Sequence, residues 1–260
     1  MRDERTPEAG AASISRKLKR DGGVVSRVPF RSESTLPPAA PAVESAREYE
    51  QAGENHEALA FRPSVVHRLG RHYLRPAVES LVQRPRVWKY RALSTCRPVG
   101  GSPAILQPVL FVGPGVVALG EGVQFGWKNS PQFYSGYCHL EVSDERSLIE
   151  IGDRTEFNNN LMIKSEGPGI RIGRDGLFGA HVEIFDSDFH DLHPGRRRNG
   201  RQAMAPVEIG DNVFVGMGVR ILKGATIGSD SVIGAGAVVT GSIPAGVIAA
   251  GNPARVIRDL

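Results

Sequence analysis

The stretch "VEIGDNVFVGMGVRILKGATIGSDSVIGAGAVV", residues 207–239, sets the fold. Ile209, Val215, Ile221, Ile227, Ile233 and Val239 fall six residues apart without a slip. Glycine follows four of them directly, as Gly210, Gly216, Gly228 and Gly234. Four residues after each aliphatic comes a small or aliphatic residue: Val213, Val219, Ala225, Ser231, Ala237 and Ile243. A block of six holds one short strand and one tight corner, too little to bury its own aliphatic side chain. Three such blocks close one triangular coil, and stacked coils place the aliphatics in columns. The expected fold is all-β, a parallel β-helix of hexapeptide repeats. Glycine in the second place predicts a corner with positive φ.

The same phase recurs upstream, from Ile151 ("IGDRTEFNNNLMIKSEGP") and from Ile172 ("IGRDGLFGAHVEIFDSDF"). Between residues 184 and 210 the count of six stops. The inserted stretch, "IFDSDFHDLHPGRRRNGRQAMAPVEIG", concentrates histidine, aspartate and arginine, and a repeat that interrupts itself can release side chains to line a cleft.

The rest of the chain is of other kinds. Residues 1–60 carry a Pro/Ala/Ser tract and few aromatics, and are expected to be a disordered tail. Residues 61–104 read as a short helical segment. Between 62 and 97 there are nine Arg/Lys and one acid, Glu79, with apolar residues at helical spacing, and Pro76 and Pro85 are expected to kink or divide the helix. Such a basic amphipathic face suits contact with a membrane surface, or packing on the rest of the protein. The β-helix is expected over 105–243, with a loop excursion at 190–206 and a C-terminal tail at 244–260. Two cysteines, Cys96 and Cys138, are too few for a disulfide framework. The polar first twenty residues do not read as a signal peptide, and no apolar run reaches membrane-spanning length. A cytoplasmic location is the expectation, with no nucleic-acid role.

From about residue 105 the sequence resembles the hexapeptide-repeat acyltransferases with a left-handed β-helix, closest to the sugar O-acetyltransferases of the galactoside and maltose type. The 207–239 stretch, the tail "IPAGVIAAGNPARVIRDL", and the order His190, "RRRNG", "PVEIG" carry the resemblance. It supplies the left hand, because crossover connections ordinarily turn right. It also implies a homotrimer with active sites between neighbouring prisms, acetyl-CoA as acyl donor, a sugar or glycan acceptor, and no metal.

By the same resemblance His190 is the general base, with His193 its local competitor. Asp188, Asp186 and Asp191 are candidates to orient it, Asp188 foremost. Asn158, Asn160 and Glu166 match acceptor-binding positions, although three consecutive asparagines also suit a turn. Met217, Ala235 and Thr240 match the pantetheine groove; Arg255 and Arg258 match positions facing the coenzyme phosphates. Phe214 stands where many relatives have tryptophan. The chemistry is coherent: an alcohol attacking a thioester needs a base, and a neutral imidazole is matched to that task near pH 7. Two alternatives remain open on the sequence. One is a zinc enzyme like the γ-class carbonic anhydrases, using His181, His190 and His193. The other is a non-catalytic β-helix scaffold.

Overall fold

The computed structural model describes the backbone from residue 65 and the side chains from residue 77. The expected N-terminal tail therefore lies outside the described residues. Among the described residues one long helix, α1 (Val65–Leu93), precedes twenty strands. It runs unbroken through Pro76 and Pro85, where the sequence predicted a kink or a division. At Pro85 the reason is solvent: the proline is exposed, so the carbonyl it leaves without a partner can bond water.

Strands β1 (Ala104–Ile105) to β20 (Ala254–Asp259) form three sheets. Face 1 holds β1, β4, β7, β10, β13, β16, β19 and β20; face 2 holds β2, β5, β8, β11, β14 and β17; face 3 holds β3, β6, β9, β12, β15 and β18. Within each face every third strand in sequence is a neighbour, and all pairs are parallel except β19–β20. A chain that visits three faces in turn and returns one strand along is a three-sided parallel β-helix.

The register gives the aliphatic columns. On face 1 Phe125, Phe157, Phe178, Val215, Ile233 and Ala249 pair in order. On face 2 the order is Phe111, Leu140, Ile163, Ile184, Ile221 and Val239. On face 3 it is Leu119, Ile151, Ile172, Ile209, Ile227 and Ile243. All are buried. Each fully buried side chain of this size contributes about 1.5–3 kcal/mol over its exposed state, so the columns are the core.

Ile243 corrects the sequence reading. It pairs with Ile227 in the column itself, and does not take the small inward place four residues after Val239. The corner after Val239 is thus two residues short, and the stack continues through β19 (Val247–Gly251).

The glycines also need correction. Gly210, Gly216, Gly228 and Gly234 have no positive φ. They are required because successive coils touch there: a Cβ on Gly216 would lie 2.6 Å from the backbone nitrogen of Ala235. Left-handed backbone falls instead at the fourth place of the block, at Arg154, Asn160, Asp175, His181, Asn212, Gly218, Gly224, Asp230 and Gly236. Most of these are the residue types that tolerate that region.

Two segments leave the coil. Residues 126–137 separate β4 (Gln124–Phe125) from β5 (Cys138–Val142), at the corner between faces 1 and 2. Residues 186–206 separate β11 (Glu183–Phe185) from β12 (Val207–Ile209), at the corner between faces 2 and 3. The second is the interruption expected from the broken count, beginning four residues earlier than 190.

Candidate functional site

The 186–206 excursion is tied down at its root. Asp186 is fully buried, and its carboxylate accepts hydrogen bonds from the Ser165 hydroxyl (2.7 Å) and the backbone N–H groups of Glu166 (2.8 Å), Gly169 (3.0 Å) and Gly167 (3.4 Å). This is a structural anchor, and the carboxylate does not reach His190. Asp191 accepts from the His193 N–H (2.8 Å) and from Arg196 Nε (2.8 Å), which hold it ionised below the usual carboxylate range, the Arg196 bond contributing most. Asp188 faces Lys223, whose Nζ lies 3.4 Å from Oδ2; that oxygen is buried and has no hydrogen bond. None of the three candidate aspartates orients His190.

A backbone carbonyl does so. Nδ1 of His190 lies 3.2 Å from the Arg197 carbonyl oxygen. A carbonyl can only accept, so the neutral ring carries its proton on Nδ1 and leaves the Nε2 lone pair free. His193 has the opposite arrangement. Its Nδ1 accepts from the Gly195 N–H (3.2 Å), capping the short 3-10 turn Pro194–Arg196, so its proton sits on Nε2. Of the two neighbouring imidazoles, only His190 offers Nε2 as a base. Sequence reasoning missed Arg197 as the orienting group, because a carbonyl leaves no side-chain signature.

Glu166 stands on the same corner, at the end of β8 (Met162–Ser165). Its carboxylate accepts from the Ser187 hydroxyl (2.7 Å) and Gln202 Nε2 (3.2 Å), and pairs with Lys164 Nζ (3.2 Å). Lys164 also pairs with Glu141 (3.1 Å) and lies over the Phe189 ring. Burial opposes its charge, but the two carboxylates prevail and keep it above the usual lysine range. Glu166 is thus fixed in a charged ladder along face 2, which the sequence did not reveal.

The asparagines lie across face 2, at the other corner. Asn158 Oδ1 accepts from the Asn159 N–H (2.7 Å). Asn159 is fully buried and clamps the 126–137 excursion: its Nδ2 donates to the carbonyls of Trp127, Ser130 and Pro131, and its Oδ1 accepts from the Trp127 N–H. Asn160 has φ +61° and is engaged with Gln132, Gln107 and His181. Both Asn159 and Asn160 thereby follow the turn reading, and Asn158 is the one of the three with an amide not drawn into that clamp.

Met217 and Ala235 share that corner in successive coils, where the Gly236 N–H bonds the Met217 carbonyl (2.8 Å). Both are exposed. Thr240 is exposed on the His190 corner, and Arg255 and Arg258 are exposed on β20. Among the described residues the two arginines bond only nearby carbonyls, Ala254 and Asp259. The predicted site is therefore split: Glu166, His190 and Thr240 on the corner between faces 2 and 3, and Asn158, Met217 and Ala235 on the corner between faces 1 and 2. The four residues of β8 alone separate Asn158 from Glu166 by about 13 Å at strand rise. His181 stands with the asparagines, so one chain does not gather it with His190 and His193.

The comparisons with known proteins meet this geometry at the repeat. The family described as bacterial transferase hexapeptide (six repeats) matches residues 206–241. The matched residues are a run of hexapeptide repeats. That segment covers β12 to β17, the coils immediately after the His190 excursion. Outside it the likeness continues. The chain is 42% identical to a galactoside O-acetyltransferase of Escherichia coli over 114 residues, 44% of this chain and 55% of that protein. It is 38% identical to the galactoside O-acetyltransferase of Lactococcus lactis over 130 residues, 50% of this chain and 58% of that protein. The chain thus spans about half the length of these curated relatives. Among solved structures, a galactoside acetyltransferase in complex with coenzyme A superposes at TM-score 0.42 with 26% identity, over 68% of this chain and 81% of that one.

Proposed function

We propose that the protein is an acyl-CoA-dependent O-acyltransferase that moves acetyl from acetyl-CoA to a hydroxyl of a sugar or glycan, with His190 as general base. The observation that carries this reading is the His190 tautomer. An exposed imidazole, oriented by the Arg197 carbonyl through Nδ1, presents a free Nε2 on the loop that interrupts the hexapeptide coil. The similarity to galactoside O-acetyltransferases supports the reaction class.

Nε2 takes the proton of the acceptor hydroxyl as its oxygen bonds to the thioester carbon. The tetrahedral oxyanion then collapses, the carbon–sulfur bond breaks, and the imidazolium returns the proton to the departing thiolate. No covalent enzyme intermediate is needed. Glu166, held rigid by Ser187, Gln202 and Lys164, and Asn158 are assigned to the acceptor hydroxyls. Met217, Ala235 and Thr240 are assigned to the pantetheine arm, and Arg255 and Arg258 to the phosphates, where exposed guanidiniums are suited to bidentate contact.

The reading includes a left-handed coil and a homotrimer. The split site supports the trimer: if His190 of one copy faces Asn158 of the next, the two corners complete one cleft between prisms. Cytoplasmic acetyl-CoA is the donor in this account. The deciding experiment incubates the protein with acetyl-CoA and a panel of nucleotide sugars and glycans and follows free thiol. Acceptor-dependent thiol release supports it. Thiol release that no sugar stimulates refutes the sugar acceptor.

A further inference from the structure

Over residues 77–93, where its side chains are described, helix α1 presents an apolar arc to solvent. At 100° per residue, Trp88, Leu81, Pro85, Val78, Val82 and Leu93 fill one arc of about 140°, and all are exposed, Leu81 by 75% and Trp88 by 72%. The opposite side, which meets the β-helix, is polar. Gln83 donates to the carbonyls of Leu106 (3.0 Å) and Phe133 (3.2 Å), and Arg86 donates to those of Phe133 (3.0 Å) and Gly136. Glu79 pairs with Lys128, and Tyr90 packs on Tyr137 with ring centroids 4.6 Å apart. The usual amphipathic arrangement is thus reversed. Polar tethers hold the helix, while the apolar residues of the arc remain exposed.

The charge around the arc selects what could cover it. Lys89 lies in its middle and no acid lies within it; the one acid of α1, Glu79, is turned to Lys128. Arg84 and Arg91 are exposed along one edge, and neither has an ion-pair partner among the described residues. Together with Trp88, Leu106, Phe133 and the Glu79–Lys128 pair they line a groove of about 520 Å³. The Lys89 stem runs along the arc while its ammonium lies over the Tyr90 ring, 5.5 Å from the centroid, an arrangement that suits an apolar boundary below and headgroups beside it.

We propose that α1 is a docking surface for an anionic lipid bilayer. The helix lies in the interface plane, with Leu81, Val82 and Trp88 at the acyl boundary and Arg84 and Arg91 on headgroup phosphates. This proposal is independent of the acyl-transfer chemistry.

The test is sedimentation of the full chain with vesicles of phosphatidylcholine alone and of phosphatidylcholine with phosphatidylserine. The chain is expected to pellet with the anionic vesicles and to stay in solution with the neutral ones. The double variant Leu81→Glu, Trp88→Glu should remain in solution with both, at unchanged melting temperature and unchanged oligomeric state by light scattering. Arg84→Gln with Arg91→Gln should weaken binding about fivefold per cation removed. Equal binding to neutral vesicles overturns the proposal, as does failure of the parent to bind the anionic ones. A change of oligomeric state in the Leu81/Trp88 variant also overturns it, because the arc is then a contact between copies.

Discussion

Nδ1 of His190 donates to the carbonyl oxygen of Arg197 across 3.2 Å, and this one contact decides which nitrogen can act as a base. His190→Ala should lower kcat by about 10²–10⁴-fold, the usual contribution of a positioned base. The KM for acetyl-CoA should change little, since none of the residues assigned to the donor lies on the 186–206 excursion. His193→Ala should be far milder, because His193 serves as a cap with its Nδ1 occupied. If the two variants exchange effects, the tautomer argument fails.

The pH profile follows with its sign. The parent's kcat/KM should rise with pH, because only an unprotonated base can take the hydroxyl proton, and the rise should vanish in His190→Ala. Acid collapse of the loop cannot imitate this limb. The folded pKa of Asp191 is lowered by Arg196 and the His193 N–H, so its stabilising contribution is complete above the unfolded carboxylate pKa and is lost only as pH falls through the lower folded value. An ascending limb that persists in His190→Ala contradicts the assignment.

Asp186→Ala should act on stability rather than on chemistry alone. It removes the acceptor of four donors, three of them backbone N–H groups, around a carboxylate that is itself fully buried. Leaving buried donors unmet costs about 1–3 kcal/mol each, so a loss of at least about 3 kcal/mol in denaturant unfolding is expected. A variant of parental stability would show that Asp186 is no anchor.

The glycine corners give a graded test. Gly216→Ala puts a Cβ against the Ala235 backbone and should cost about 1–3 kcal/mol as overpacking. Gly218 has φ +70° and open space around it, so Gly218→Ala meets only the left-handed penalty of about 1–2 kcal/mol. Gly218→Asn should be milder still, since asparagine already occupies the equivalent place at Asn160 and Asn212. Equal unfolding midpoints for Gly218→Asn and Gly218→Ala would contradict the corner assignment.

The thiols should be silent in the native protein. Burial pushes Cys138 up to about 12 and raises Cys96 as well. Reaction with a disulfide reagent at pH 8 should be slow until denaturant is added, which also keeps a thiol-release assay free of background. A fast stoichiometric phase under native conditions would refute this burial.

Much of this fold was legible because the signal is periodic. Ile209 to Val239 mark the strands by spacing alone, and each aliphatic falls in its column. What failed was local. The period could not show that Gly216 is excluded from bearing a Cβ by the next coil, since contact between coils is not written in one block. It also could not show the short corner before Ile243. In the site, the break in the count exposed the excursion and its histidines, but aspartates near His190 in sequence proved to be near other groups in space. The partner of its ring was a carbonyl, and any residue at 197 would supply one.

The central claim is that one cleft is built from two corners of different copies, His190 from one and Asn158 from the next. The most direct measurement mixes His190→Ala and Asn158→Ala chains, unfolds and refolds them together, and compares acetyl transfer with each variant refolded alone. Random assortment in a closed three-fold ring leaves one intact cleft in each mixed trimer. The mixture should therefore recover about a quarter of the parent's activity, given three mixed rings in four with one working site in three. Recovery no greater than the mean of the two variants refolded separately would place His190 and Asn158 in the same cleft of one chain, or in no common cleft, and would contradict the account.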